Sequence, residues 1–168
     1  MKAVQVRMAR ATAGYDGLAI NRRSKVDISA DVPLDDFLAQ VSALVGQAYR
    51  DVKSLAPHCF TVRATGEVYA VAIPHTITRA DPEEAGENIM TWLIEHFERF
   101  GVVRYAFCFE AASKERSVVC IEAADHSTVI LGIREIIREN DTAHLGPLKA
   151  SPTQFMSNKL IPEGRQLH

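Results

Sequence analysis

The sequence predicts an α+β fold: an antiparallel sheet of about five strands with two amphipathic helices packed on one face. Three observations predict it. Two long segments carry apolar residues at three-and-four spacing, as a helix with one buried face requires. Short apolar stretches come as one hairpin and one three-strand meander, joined by connections too short for anything but antiparallel pairing. The apolar share of the 168 residues, 47%, suffices for one core, so residues 1–168 read as a single domain.

The first helix spans about Pro33 to Leu55. Pro33 suits a first helical position, and Asp35 and Asp36 stand in the first turn, where the helix dipole favours anions. Leu34, Phe37, Leu38, Val41, Leu44, Val45, Ala48, Val52 and Leu55 form its apolar stripe. A hairpin follows in "HCFTVRATGEVYAVAIP". With a Thr65-Gly66 turn and Ala64 facing Glu67, Phe60, Val62, Tyr69 and Val71 share one side. The second helix opens at "DPEE", with Asp81 as cap, Pro82 in the first turn and Glu84 at the capping-box position. Its stripe of Ala85, Ile89, Trp92, Leu93, Phe97 and Phe100 ends at Gly101, and His96 lies beside it as a packed or edge residue.

Three strands are expected at 102–111, 117–124 and 127–138. Pairing Phe109 with Val119, Phe107 with Ile121 and Tyr105 with Ala123 gives one fully apolar face for the helices to cover. Continuing the rule sets Ile121 opposite Val129 and Val119 opposite Leu131. The other face then carries Cys108 opposite Cys120, Glu110 opposite Val118 and Ala106 opposite Glu122. Its small apolar centre is bordered by Arg104, Glu110, Glu122 and Arg134. A greasy centre with a charged rim is the anatomy of a contact surface. Three uses stand open for it: cover by the chain's own tails, a homodimer interface, or a small-molecule cleft.

Both ends read as irregular. Residues 1–31 form a basic arm: residues 1–26 hold six basic side chains against Asp16 alone, a balance of +5 that leaves −7 on the rest of a chain of net charge −2. The "GYDG" run at 14–17 reads as a turn. From Glu139 to His168 the tail is irregular, with a capping box at Ser151 to Gln154 that would start a short helix carrying Phe155, Met156 and Leu160.

Chemical motifs are sparse. Cys59, Cys108 and Cys120 are odd in number and far apart, which reads as reduced thiols in a cytoplasmic protein. The six histidines form no metal-ligand spacing, and no glycine-rich phosphate loop is present, so neither metal nor cofactor is expected. No apolar run is long enough to span a bilayer, and Arg7 and Arg10 interrupt any secretory leader. The catalytic candidates are Cys108, with His126 as a distant base, and the carboxylates Glu110 and Glu122. Pairing of those carboxylates with Arg104 and Arg134 is the plainer expectation. His75 and Arg79, in the loop before the second helix, are candidates for binding an anion, as are Arg104 and Arg134.

The runs "YAFCFEAA", "SVVCIEAAD" and "REIIRENDTAHLGPL" resemble a group of uncharacterised bacterial proteins over the C-terminal half of the chain. The resemblance implies a soluble bacterial protein and brings no activity. The reading that follows is a non-enzymatic interaction or binding module acting as a homodimer, with a small-molecule ligand as a further partner. The alternatives are a small hydrolase or ligand-binding enzyme on the mixed face, and a nucleic-acid accessory protein using the basic arm. A nucleic-acid partner is not favoured by the net charge.

Overall fold

The computed structural model describes residues 7–8, 24–78, 81–151 and 158–161. The elements run β1 (Arg7–Met8), β2 (Ser24–Lys25), α1 (Leu34–Val52), β3 (His58–Arg63), β4 (Val68–Ala72), α2 (His75–Thr78), α3 (Pro82–Phe100), β5 (Val102–Ala112), β6 (Ser117–Asp125), β7 (Val129–Glu139), β8 (Thr142–Leu145) and β9 (Lys149–Ser151). The fold is α+β, and its sheet is antiparallel in the order β2-β4-β3-β5-β6-β7-β8. Beyond the end of β3, β1 takes up the same edge of β5, and β9 does the same beyond β8 on β7.

Helix boundaries follow their local chemistry. The Asp81 carboxylate caps α3 by accepting from the Glu83 N–H (3.2 Å), and Gly101 ends it at φ 60°. Helix α1 ends at Lys53, also left-handed at φ 59°. That conformation is unfavourable for a side chain with a Cβ. It is held by Arg138, which donates to the Lys53 carbonyl (3.3 Å), and by the Lys53 ammonium, which donates to the Asp141 carbonyl.

The structure departs from expectation in four ways. Its sheet is larger than five strands, because β8 and β9 are built from residues expected to be irregular. It curls around α1: Phe37, Leu38, Val41, Val45 and Tyr49 pack against residues of β3 through β8. At about 1.5–3 kcal/mol per fully buried large apolar side chain, this stripe is a main stabiliser of the fold. The helices also do not share a face. Ile89, Leu93 and Phe97 of α3 pack with Cys59, Tyr105, Phe107 and Ala124 on the opposite side.

The fourth departure is register, and turn chemistry explains it. In β3–β4 the Arg63 N–H donates to the Glu67 carbonyl (3.0 Å), and Gly66 adopts φ 85°. This makes a three-residue loop in place of the two-residue turn and pairs Val62 with Val68. Between β5 and β6, the Ser113 hydroxyl oxygen accepts from the N–H groups of Glu115 (3.3 Å) and Arg116 (3.2 Å), closing a two-residue loop. Between β6 and β7, one Asp125 carboxylate oxygen accepts from Ser127 N–H (2.8 Å), Ser127 hydroxyl (2.8 Å) and Thr128 N–H (2.9 Å). The resulting ladder pairs Phe107 with Glu122, Cys108 with Ile121, Phe109 with Cys120 and Glu122 with Leu131. Strand β6 is therefore turned over relative to the expected register. Its Val119, Ile121 and Ala123 join Cys108 under α1, and its Glu122 joins the aromatic face.

The basic N-terminal arm, the 14–17 turn and the helix expected to start at Ser151 fall mostly outside the described residues. No described helix is long and apolar enough to cross a membrane.

Candidate functional site

The expected mixed face is not a surface. Cys108 is fully buried beneath α1, beside Ala106, Val119 and Ile121. Burial pushes its thiol well above the ordinary cysteine range, so it stays protonated and inert. Its register neighbour is His58, not the turn residue His126. The His58 ring nitrogen Nδ1 faces the Ala56 carbonyl (3.0 Å), and burial lowers the ring's pKa despite that bond.

The charged rim residues are each tied to the fold. Arg104 donates to the carbonyls of Ala30 (2.9 Å) and Val32 (2.6 Å), fixing the approach to α1, and lies 3.9 Å from Asp125. Arg134 donates to the carbonyls of Gly146 (2.6 Å), Leu145 (3.1 Å) and Ser42 (2.8 Å), at the irregularity between β8 and β9. The Glu110 carboxylate accepts from the Leu55 N–H at 2.6 Å. Burial raises its pKa, while that bond, the Tyr49 hydroxyl and Arg138 pull the other way. The expected pairs of these carboxylates with Arg104 and Arg134 therefore do not form. His75 is exposed on α2, and Arg79 lies outside the described residues.

Glu122 is the exception. It stands on the α3 face, 1% exposed, between Phe107 and Leu131 in the ladder. Its Oε1 accepts from the Tyr105 hydroxyl and from the ammonium of Lys159, itself 6% exposed. The ammonium also lies over the rings of Tyr105 (5.8 Å) and Phe107 (5.7 Å). Those rings are held in turn by Phe97, 4.7 Å from Tyr105, and Phe109, 5.0 Å from Phe107. Burial, with the Glu122 charge adding to it, pushes the Tyr105 hydroxyl far up, so the phenol remains a donor. Cys59, on the same face, is pushed up by burial, then by Cys108 and Glu122, with Lys159 opposing.

Lys159 comes from residues 158–161, which pair with no described strand. The segment is held by side chains and caps. The Lys159 N–H donates to the Tyr105 hydroxyl oxygen (3.3 Å), and Asn158 Nδ2 donates to the Asp125 carbonyl. Leu160 packs against the α3 core. Sequence reasoning placed Glu122 among the candidates but on the wrong face, and it did not single out Lys159. The one available signal was the apolar pair Leu160 and Ile161 directly after Lys159.

Chemically, the arrangement is a carboxylate and two ring faces closed around one primary ammonium. Such a site holds a cation, and nothing in its geometry presents a nucleophile to a substrate. Among the described residues, no group of three or more histidine, cysteine or acidic side chains is placed to bind a metal. No protein-family model, curated protein or solved structure matches the chain.

Proposed function

We propose that the chain is a non-enzymatic interaction module that works as a homodimer through the α3 face of its sheet. The carrying observation is the state of that face on β7. Leu131 and Ile133, register partners of Glu122 and Cys120, are only half-buried, and among the described residues they pack into neither core cluster. Phe109 extends the same apolar row on β5. A second copy is the commonest partner for such a patch.

The enzyme reading loses support because its residues are divided. Cys108 and Glu110 point towards α1, whereas Glu122 points to the other side and is engaged by Tyr105 and Lys159. The nucleic-acid reading rests on the basic arm, most of which lies outside the described residues. Light scattering of the wild type at roughly tens of micromolar should give a dimer, and Ile133→Glu should give a monomer. A monomeric wild type across that range overturns the proposal.

A further inference from the structure

We infer that the Glu122 pocket is a recognition site for a lysine side chain of a partner protein segment, and that Lys159 is its occupant in cis. The inference rests on the preceding reading only in taking the α3 face as the working surface.

The chemistry of the pocket selects the ligand. Both donors reach the same carboxylate oxygen, Oε1 of Glu122. A compact ammonium satisfies that point acceptor, whereas a flat guanidinium is best served by two carboxylate oxygens at once. The Tyr105 and Phe107 rings line the approach and favour a cation over a neutral amine. Glu122, nearly sealed from water, makes a strong demand for a positive partner.

The contact reads more than the ammonium. The Lys159 N–H meets the Tyr105 hydroxyl, Asn158 meets the Asp125 carbonyl, and Leu160 enters the α3 core, so a run of Asn-Lys-Leu character is recognised. That favours a peptide over a free polyamine. Among the described residues, 158–161 share no ladder bond with the sheet, so they form an exchangeable plug, and a partner strand carrying the same chemistry competes for the pocket.

The test uses the full-length Lys159→Ala chain and propylammonium, which replaces the atoms removed. Above its Kd, propylammonium should raise the Tm of Lys159→Ala by roughly 3–6 °C per tenfold increase in concentration. The wild type and the Lys159→Ala/Glu122→Gln double variant should not respond, nor should Lys159→Ala respond to 1-propanol. Equal shifts in all three proteins, or an equal effect of 1-propanol, overturn the site. A capped Asn-Lys-Leu-Ile peptide should act at a concentration at least about tenfold below that of propylammonium, through its added contacts. A peptide no better than propylammonium overturns the assignment to a protein segment.

If Lys159→Ala does not fold, amine acylation of the wild type decides the matter. Lys159 should be protected while exposed Lys114 reacts, and equal rates overturn the pocket. None of these readouts depends on the oligomeric state, so they stand or fall separately from the light-scattering result.

Discussion

The ammonium of Lys159 lies against the carboxylate of Glu122, thirty-seven residues earlier in the chain, with the Tyr105 hydroxyl on the same oxygen. A buried pair of this kind behaves asymmetrically. Removing one partner strands a charge, at about 3–5 kcal/mol, whereas removing both charges is often close to neutral. Lys159→Met should therefore lower the urea midpoint strongly. Adding Glu122→Gln, which keeps an acceptor for Tyr105, should restore much of the loss. Additive losses in the double variant would contradict a direct pair.

Helix α1 crosses β7 with almost no clearance. A Cβ on Gly46 would stand 2.4 Å from the Arg134 Nη1, which is fixed by its bond to the Ser42 carbonyl. Gly46→Ala should cost about 1–3 kcal/mol by overpacking, despite alanine's better helix propensity. In an Arg134→Met background the same substitution should cost little. A full penalty in both backgrounds would separate Gly46 from Arg134.

The two long helices and strands β3 to β7 were legible in the sequence, because α1 and α3 each have one apolar stripe and α3 is bracketed by Asp81 and Gly101. The strand register was not. Between Val118 and Ala124 both alternate sets of β6 are apolar apart from Glu122, since α1 covers one face and α3 with Lys159 covers part of the other. Polarity then had one charge to work with, and it placed that charge away from the aromatics. The rule that overrode it was local: side-chain bonds from Ser113 and Asp125 fix the loop lengths, and the loop lengths fix the faces. Glu122 tolerates the aromatic face because its partner arrives from residues expected to be irregular.

Acid stability should carry the signature of Asp125. Burial pushes its pKa up, but the bonds from Ser127 and Thr128, with Arg104 nearby, outweigh that and hold it below 3.8. A depressed folded pKa gives stability that is present above the unfolded value and lost as the pH falls through the folded one. The stability gap between wild type and Asp125→Asn should therefore narrow as the pH is lowered below about 4. A gap independent of pH would show that the carboxylate charge is not what the turn uses.

Glu110 has the opposite sign. Its folded pKa is raised above 4.5, chiefly by burial, so ionisation is harder in the folded state and its contribution falls as the pH rises through that window. Glu110→Gln keeps an acceptor for the Leu55 N–H. Relative to wild type, it should gain stability between pH ~4 and ~7, read from urea midpoints. A relative loss over that range would contradict the assignment.

The thiols should be silent in the native protein. Cys59 and Cys108 are fully buried, and burial pushes Cys120 up to about 11. Ellman's reagent should therefore label none of the three before unfolding, with Cys120 the first to react. Stoichiometric labelling of Cys108 in the folded chain would reopen the enzyme reading.

The most direct measurement is the proton nuclear Overhauser spectrum of the wild-type chain at the Lys159 side chain. It should show contacts from the Lys159 Hε protons to the rings of Tyr105 and Phe107, with the Lys159 methylenes shifted upfield by those rings. A Lys159 side chain at random-coil shifts, together with Glu122 Hγ contacts to Val41 of α1, would place the carboxylate on the opposite face and contradict the pocket and the register beneath it.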